Sequence, residues 1–138
     1  MASEADRGSK TTWLEVKGLR VRCLAADAGG PSVLLLHSSG IGSAGFSYKP
    51  VIEPLAFNHG VFALDCWDSA RATNPRGSTP CILAGYLGSL MDALRLERAS
   101  LGGISLGGSA ALGFTFRSPQ GVERLVLVDL YGVGNEVP

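Results

Sequence analysis

Three stretches of this chain run apolar and stop on a residue with chemistry in it: Val33 to Leu36 before His37, Val61 to Leu64 before Asp65, and Leu125 to Val128 before Asp129. A further segment, Arg98 to Ile104, reads as a strand and stops before Ser105. Short apolar runs without alternation are what strands buried on both faces of a parallel sheet require. Between them lie segments of helical character, near Tyr48 to Ala56, from about Ile82 to Leu94, and from Leu106 to Phe116. The second of these places Leu83, Leu87, Leu90, Met91 and Leu94 on one stripe. Strand alternating with helix implies crossover connections, and so a parallel sheet with helices on both faces. Ahead of it, Thr12 to Val16 and Leu19 to Leu24 alternate around Lys17 and Gly18, the pattern of a hairpin with one wet face. The predicted fold class is therefore α/β: a doubly wound, mostly parallel sheet with an N-terminal antiparallel hairpin. Residues 12–138 form one domain in this reading, and the polar residues 1–11 form a disordered tail.

Composition narrows the function classes. Of 138 residues, 46% are apolar and 17% charged, which excludes a disordered chain. Twelve basic residues balance twelve acidic ones, and no Lys/Arg block exceeds a pair, so there is no electrostatic footprint for nucleic acid or an anionic membrane. The polar, mixed-charge start, Met1 to Arg7, is unlike a secretory signal, and the expected location is cytoplasmic. Cys23, Cys66 and Cys81 form no metal-ligand spacing and read as reduced thiols acting as small hydrophobes. Neither metal nor cofactor is implied. The expected partner is a small-molecule substrate.

In an open α/β sheet, ligands bind beyond the carboxyl ends of the strands. The most informative of these ends is Gly103-Ile104-Ser105-Leu106-Gly107, between a predicted strand and a predicted helix. This is the G-x-S-x-G pattern of a nucleophile elbow in the context it needs. A serine on so tight a turn takes a strained backbone, and side chains two residues to either side would collide with the neighbouring strand and helix. Glycine at 103 and 107 removes those collisions. Ser105 Oγ is then held clear of the sheet, and the Leu106 N–H is placed to bind a developing oxyanion.

His37-Ser38-Ser39-Gly40-Ile41-Gly42-Ser43 follows the first buried strand. With the Ser105 turn downstream, it resembles the oxyanion loop of the α/β-hydrolase superfamily, and the resemblance runs from about Trp13 to Val133. It implies that Ser39 supplies the second oxyanion N–H and that His37 is structural. Asp65 stands at the head of the superfamily's Asp-x-x-Gly-x-Gly-x-Ser pattern, Leu90-Met91-Asp92-Ala93-Leu94 resembles the helix before the elbow, and Arg124 to Asp129 resembles the sixth strand. The chain departs from the pattern at Ser38, where glycine is usual, and at Asp68, Ala70 and Ala72, where Gly, Gly and Ser are usual. Residues Ser39 to Gly45 are similar to the loop of hydrolases that cleave carbon-carbon bonds in aromatic ring-fission products, with Ile41 in place of proline.

A serine hydroxyl needs a base, and the superfamily orders its triad Ser, acid, His along the chain. No histidine follows Ser105. His59 lies before the Val61 strand, at the opposite edge of the sheet from Ser105, and reads as a solvated loop residue. Asp129 is a candidate acid, since some members place theirs there. The resemblance thus implies an N-terminal half, truncated after the sixth strand, with the catalytic histidine outside it. Three readings stay open: a serine hydrolase of a small ester, amide or related substrate, including the carbon-carbon hydrolases; a binding module on a degenerate hydrolase fold; and a partial product that self-associates through an exposed sheet edge.

Overall fold

The computed structural model describes residues 8–27, 29–38, 43–65 and 80–130. The sheet begins with β1 (Lys10–Val16) and β2 (Leu19–Asp27), then β3 (Ser32–Leu36), helix α1 (Ala44–Leu55) and β4 (Gly60–Leu64). Helix α2 (Pro80–Ala93), β5 (Ala99–Ile104), α3 (Leu106–Arg117) and β6 (Val122–Val128) follow. The six strands lie in the order β1-β2-β4-β3-β5-β6. β1 pairs with β2 and β2 with β4 antiparallel, while β3 pairs in parallel with β4 and β5, and β5 with β6. This is the predicted doubly wound, mostly parallel sheet.

The hairpin turns at Lys17 and Gly18, both at positive φ (49° and 78°), the primed geometry whose twist matches two right-twisted strands. Several elements extend past their expected ends. β1 begins at Lys10, two residues inside the stretch read as tail, because its early residues pair with the end of β2. β2 runs on to Asp27, because Cys23 to Asp27 also pair with β4 on the other side. Its alternation stops there because the two faces are covered by different layers: Cys23 is buried in one apolar cluster and Leu24 and Ala26 in the other. α1 starts a turn earlier than Tyr48: Ser43 caps it by accepting from the Phe46 N–H at 3.2 Å. Pro50 within the helix and the glycines before it hide that first turn from a periodicity reading. β6 begins at Val122 rather than Leu125, since an edge strand tolerates exposed Glu123 and Arg124.

Two apolar layers hold the sheet between them. Val33 and Leu35 of β3 and Val61 and Ala63 of β4 pack with Ala44, Tyr48, Ile52 and Ala56 of the α1 region. Leu34, Leu36 and Leu64, from the same strands, pack on the opposite face with Leu87, Leu90 and Met91 of α2 and Leu106, Ala110, Ala111 and Phe114 of α3. Burial on both faces explains why those runs do not alternate. Leu87, Leu90 and Met91 are buried from the predicted α2 stripe and Leu94 packs at its margin; the Leu83 side chain lies outside the described residues. At the far edge the covering is one-sided. Leu125 and Leu127 of β6 pack towards α2 and α3, while Val126 and Val128 on the α1 side stay 61% and 49% exposed. Among the described residues, no helix is long and apolar enough to cross a membrane.

Candidate active site

Ser105 joins β5 to α3 with φ 51° and ψ −115°, a backbone conformation that costs a non-glycine residue about 1–3 kcal/mol. The turn is tied down on both sides. The Ser105 N–H donates to the Val128 carbonyl of β6 at 2.9 Å, and the Ser105 carbonyl accepts from the Ser109 N–H at 3.0 Å and the Ser109 hydroxyl at 3.2 Å. Ser105 occupies the N-cap position of α3, yet its side chain makes no capping hydrogen bond, and the residue is half-buried. Leu106 is the buried first residue of α3, so its N–H belongs to the turn that lacks intrahelical acceptors.

The flanking glycines have specific neighbours. A β-carbon on Gly103 would sit 2.5 Å from the Gly108 nitrogen and 2.6 Å from the Gly107 carbonyl. One on Gly107 would press on the Leu36 carbonyl oxygen and lie 2.6 Å from that of His37. So Gly103 lets α3 close onto β5, and Gly107 lets α3 close onto the end of β3. Gly108, which the pattern does not include, is less tightly held: its β-carbon would lie 3.0 Å from the Gly103 carbonyl oxygen and would meet the end of the Leu130 side chain, which can rotate aside.

His37 is fully buried, and its Nδ1 lies 2.5 Å from the Ser38 carbonyl oxygen. A carbonyl only accepts, so Nδ1 carries the proton. Burial pushes the imidazole pKa down, while the Ser38 hydrogen bond and the charge of Asp65 pull it the other way. His59 is half-buried rather than solvated: its N–H and Nδ1 lie 3.1 and 3.3 Å from the Leu55 carbonyl, so it closes the end of α1. Asp129, at φ 49°, is exposed and directly follows the carbonyl that receives the Ser105 N–H. Ser39, Cys66, Asp68, Ala70, Ala72 and the Cys81 side chain lie outside the described residues. Among the described residues, no group of three or more His, Cys, Asp or Glu could hold a metal ion. The Cys23 thiol is buried and pushed up to about 12, by burial first and by Asp65 second, which keeps it protonated and unreactive.

Asp65 is a buried charge whose partners sequence reasoning missed. Only 2% exposed, it accepts the Ala44 N–H on Oδ1 at 2.7 Å and the Arg22 guanidinium on Oδ2 at 3.2 Å. A carboxylate closing a fully buried strand is the one local signal of such a role, because a charge there must be partnered. Its partners lie 21 and 43 residues away in sequence.

A serine on a strained strand-to-helix turn, at the carboxyl edge of a doubly wound sheet whose first strands form a hairpin, defines the architecture. The chain is 37% identical over 107 residues to the 2-hydroxy-6-oxononadienedioate/2-hydroxy-6-oxononatrienedioate hydrolase of Paraburkholderia xenovorans, covering 75% of this chain and 37% of that protein. It superposes on a carboxylesterase of Bacillus subtilis with a TM-score of 0.76 at 29% identity, covering 86% of this chain and 42% of the esterase. The chain belongs to the α/β-hydrolase superfamily. A third α/β-hydrolase, the 2-hydroxy-6-oxo-6-phenylhexa-2,4-dienoate hydrolase of a Rhodococcus strain, shares the fold with a TM-score of 0.81 at 24% identity over 94% of this chain and 50% of its own. The similarity to the carbon-carbon hydrolases, expected from residues 39–45, is thus met across most of the chain. The chain spans 37–50% of the lengths of these three proteins. No family model matches it. The three relatives are hydrolases.

Proposed function

We propose that the protein is a serine-nucleophile hydrolase of a small ester, amide or related substrate, with Ser105 as nucleophile and its base supplied by a histidine beyond these 138 residues. The observation that carries this reading is the Ser105 turn: a strained residue, flanking glycines at 103 and 107 packed against backbone too tightly for any side chain, and a hydroxyl that does not cap its own helix. Strain of this kind persists where a function uses it. In the proposed reaction, Ser105 Oγ adds to the scissile carbonyl carbon as the base takes its proton. The N–H groups of Leu106 and Ser39 hold the resulting oxyanion, the leaving group departs with the proton, and water releases the acyl group. Asp129 is the candidate acid for orienting the base.

The relation to the Paraburkholderia hydrolase favours a carbon-carbon bond hydrolase of aromatic degradation as the second reading. A binding module that keeps the pocket without a base is the third. The test uses the open reading frame that carries this chain, continued past Pro138. The hydrolase reading expects an Asp or Glu and then a His downstream, and covalent labelling by a fluorophosphonate probe that Ser105→Ala abolishes. The 138-residue chain alone should be nearly inactive on activated esters, since loss of a triad member costs about 10⁴-fold in kcat. Labelling that persists in Ser105→Ala, or a frame with no downstream histidine, refutes the hydrolase reading and leaves the binding module.

A further inference from the structure

The carboxyl end of β3 is gripped from both faces of the sheet. From one side, the Tyr48 hydroxyl of α1 donates to the Leu36 carbonyl at 2.7 Å. From the other, α3 approaches the Leu36 and His37 carbonyls so closely that Gly107 has no room for a β-carbon. His37 opens the segment read as the oxyanion loop, and two residues before Gly107 stands Ser105. The spacing between β3 and α3 therefore sets the geometry on which the proposed chemistry depends.

What holds α1 in place is less local. Its first turn carries no acidic residue. The negative charge that favours a helix N-terminus comes instead from β4, as Asp65 Oδ1 accepts the Ala44 N–H at the first helical position. Arg22 of β2 pairs with the other oxygen, and its backbone carbonyl accepts the Asp65 N–H at 2.9 Å. Both oxygens are thus engaged, one by the helix and one by the neighbouring strand. The same charge is felt by His37 and Cys23.

We propose that Asp65 is a positioning residue for the Ser105 site: held by Arg22, it anchors the first turn of α1, and through Tyr48 it fixes the end of β3 against α3. This deepens the serine-hydrolase reading and rests on it for its functional meaning. A purely structural Asp65 would stabilise β2, β4 and α1 and go no further. A positioning Asp65 has an effect that crosses the sheet.

The two differ in amide spectra of the ¹⁵N-labelled 138-residue protein. Asp65→Asn keeps an acceptor for Ala44 but removes the charge, and a charge-assisted bond is about twice as strong as a neutral one, so Ala44 should exchange about tenfold faster. The Leu106 and Gly107 amides should shift as well, while Gly88, in the middle of α2, should not. Arg22→Gln, which leaves the carboxylate intact, should move the same resonances less. Tyr48→Phe should shift Leu106 and Gly107 without accelerating Ala44, and it carries the test should Asp65→Asn fail to fold. Changes confined to β2, β4 and α1, or a silent Tyr48→Phe, overturn the proposal. Persistent fluorophosphonate labelling of Ser105→Ala would refute the hydrolase reading while leaving these spectra as they are, so the two failures are distinct.

Discussion

Gly107 is the second residue of α3, where helix propensity alone favours alanine over glycine by at most about 1 kcal/mol. The tertiary structure reverses that sign. A methyl group at 107 lands on the Leu36 carbonyl oxygen and 2.6 Å from that of His37. Both are backbone atoms at the end of a buried strand, and they cannot rotate aside as a side chain could. Restoring an ordinary contact of about 3.5 Å requires α3 and β3 to part by roughly 1 Å. Overpacking of that kind costs about 3 kcal/mol, or about 2 kcal/mol after the propensity gain. At about 4 °C per kcal/mol for a domain of this size, Gly107→Ala should lower Tm by about 8 °C. Gly88 is the control. It sits inside α2 in the same helical layer, and its β-carbon would meet the Phe114 ring at an ordinary 3.5 Å. Gly88→Ala should therefore gain the propensity term and raise Tm by about 4 °C. Circular-dichroism melts of both variants in one buffer measure the gap. A Gly107→Ala protein that melts at or above the parent would refute the claim that the approach of α3 to β3 requires this glycine.

Acid should destabilise the fold through His37. Burial lowers its pKa in the folded chain, so near and below the ordinary value of 6.5 the unfolded chain binds more protons, and stability present above that pH is lost as pH falls. Melts between pH 7.5 and 5.5 should show a decline that is shallower in His37→Asn; equal slopes would rule His37 out as its source. The exposed Val126 and Val128 on the edge strand β6 should drive self-association that rises with concentration. Val126→Lys with Val128→Glu should give a monomer by size-exclusion with light scattering, and a native chain that is already monomeric at high concentration would contradict this.

Much of the architecture was legible because burial on two faces leaves a mark in the order of residues. Continuous apolar runs at Val33 and Val61, the hairpin at Lys17 and Gly18, and the glycines around Ser105 each answer to local geometry: the pleat of a strand, the φ of a turn, the tightness of a strand-to-helix corner. Element ends were less legible, since the end of β2 and the start of β6 depend on which strand lies alongside. The superfamily and the proposed nucleophile were therefore within reach of the sequence alone. The partners were not. That Gly107 abuts the carbonyls at the end of β3 and that Asp65 joins Arg22 to the start of α1 depend on residues brought together from distant parts of the chain. Periodicity and spacing record how a segment meets the core. They carry no record of which other segment it meets there, and that pairing is decided only when the strands take their order in the sheet.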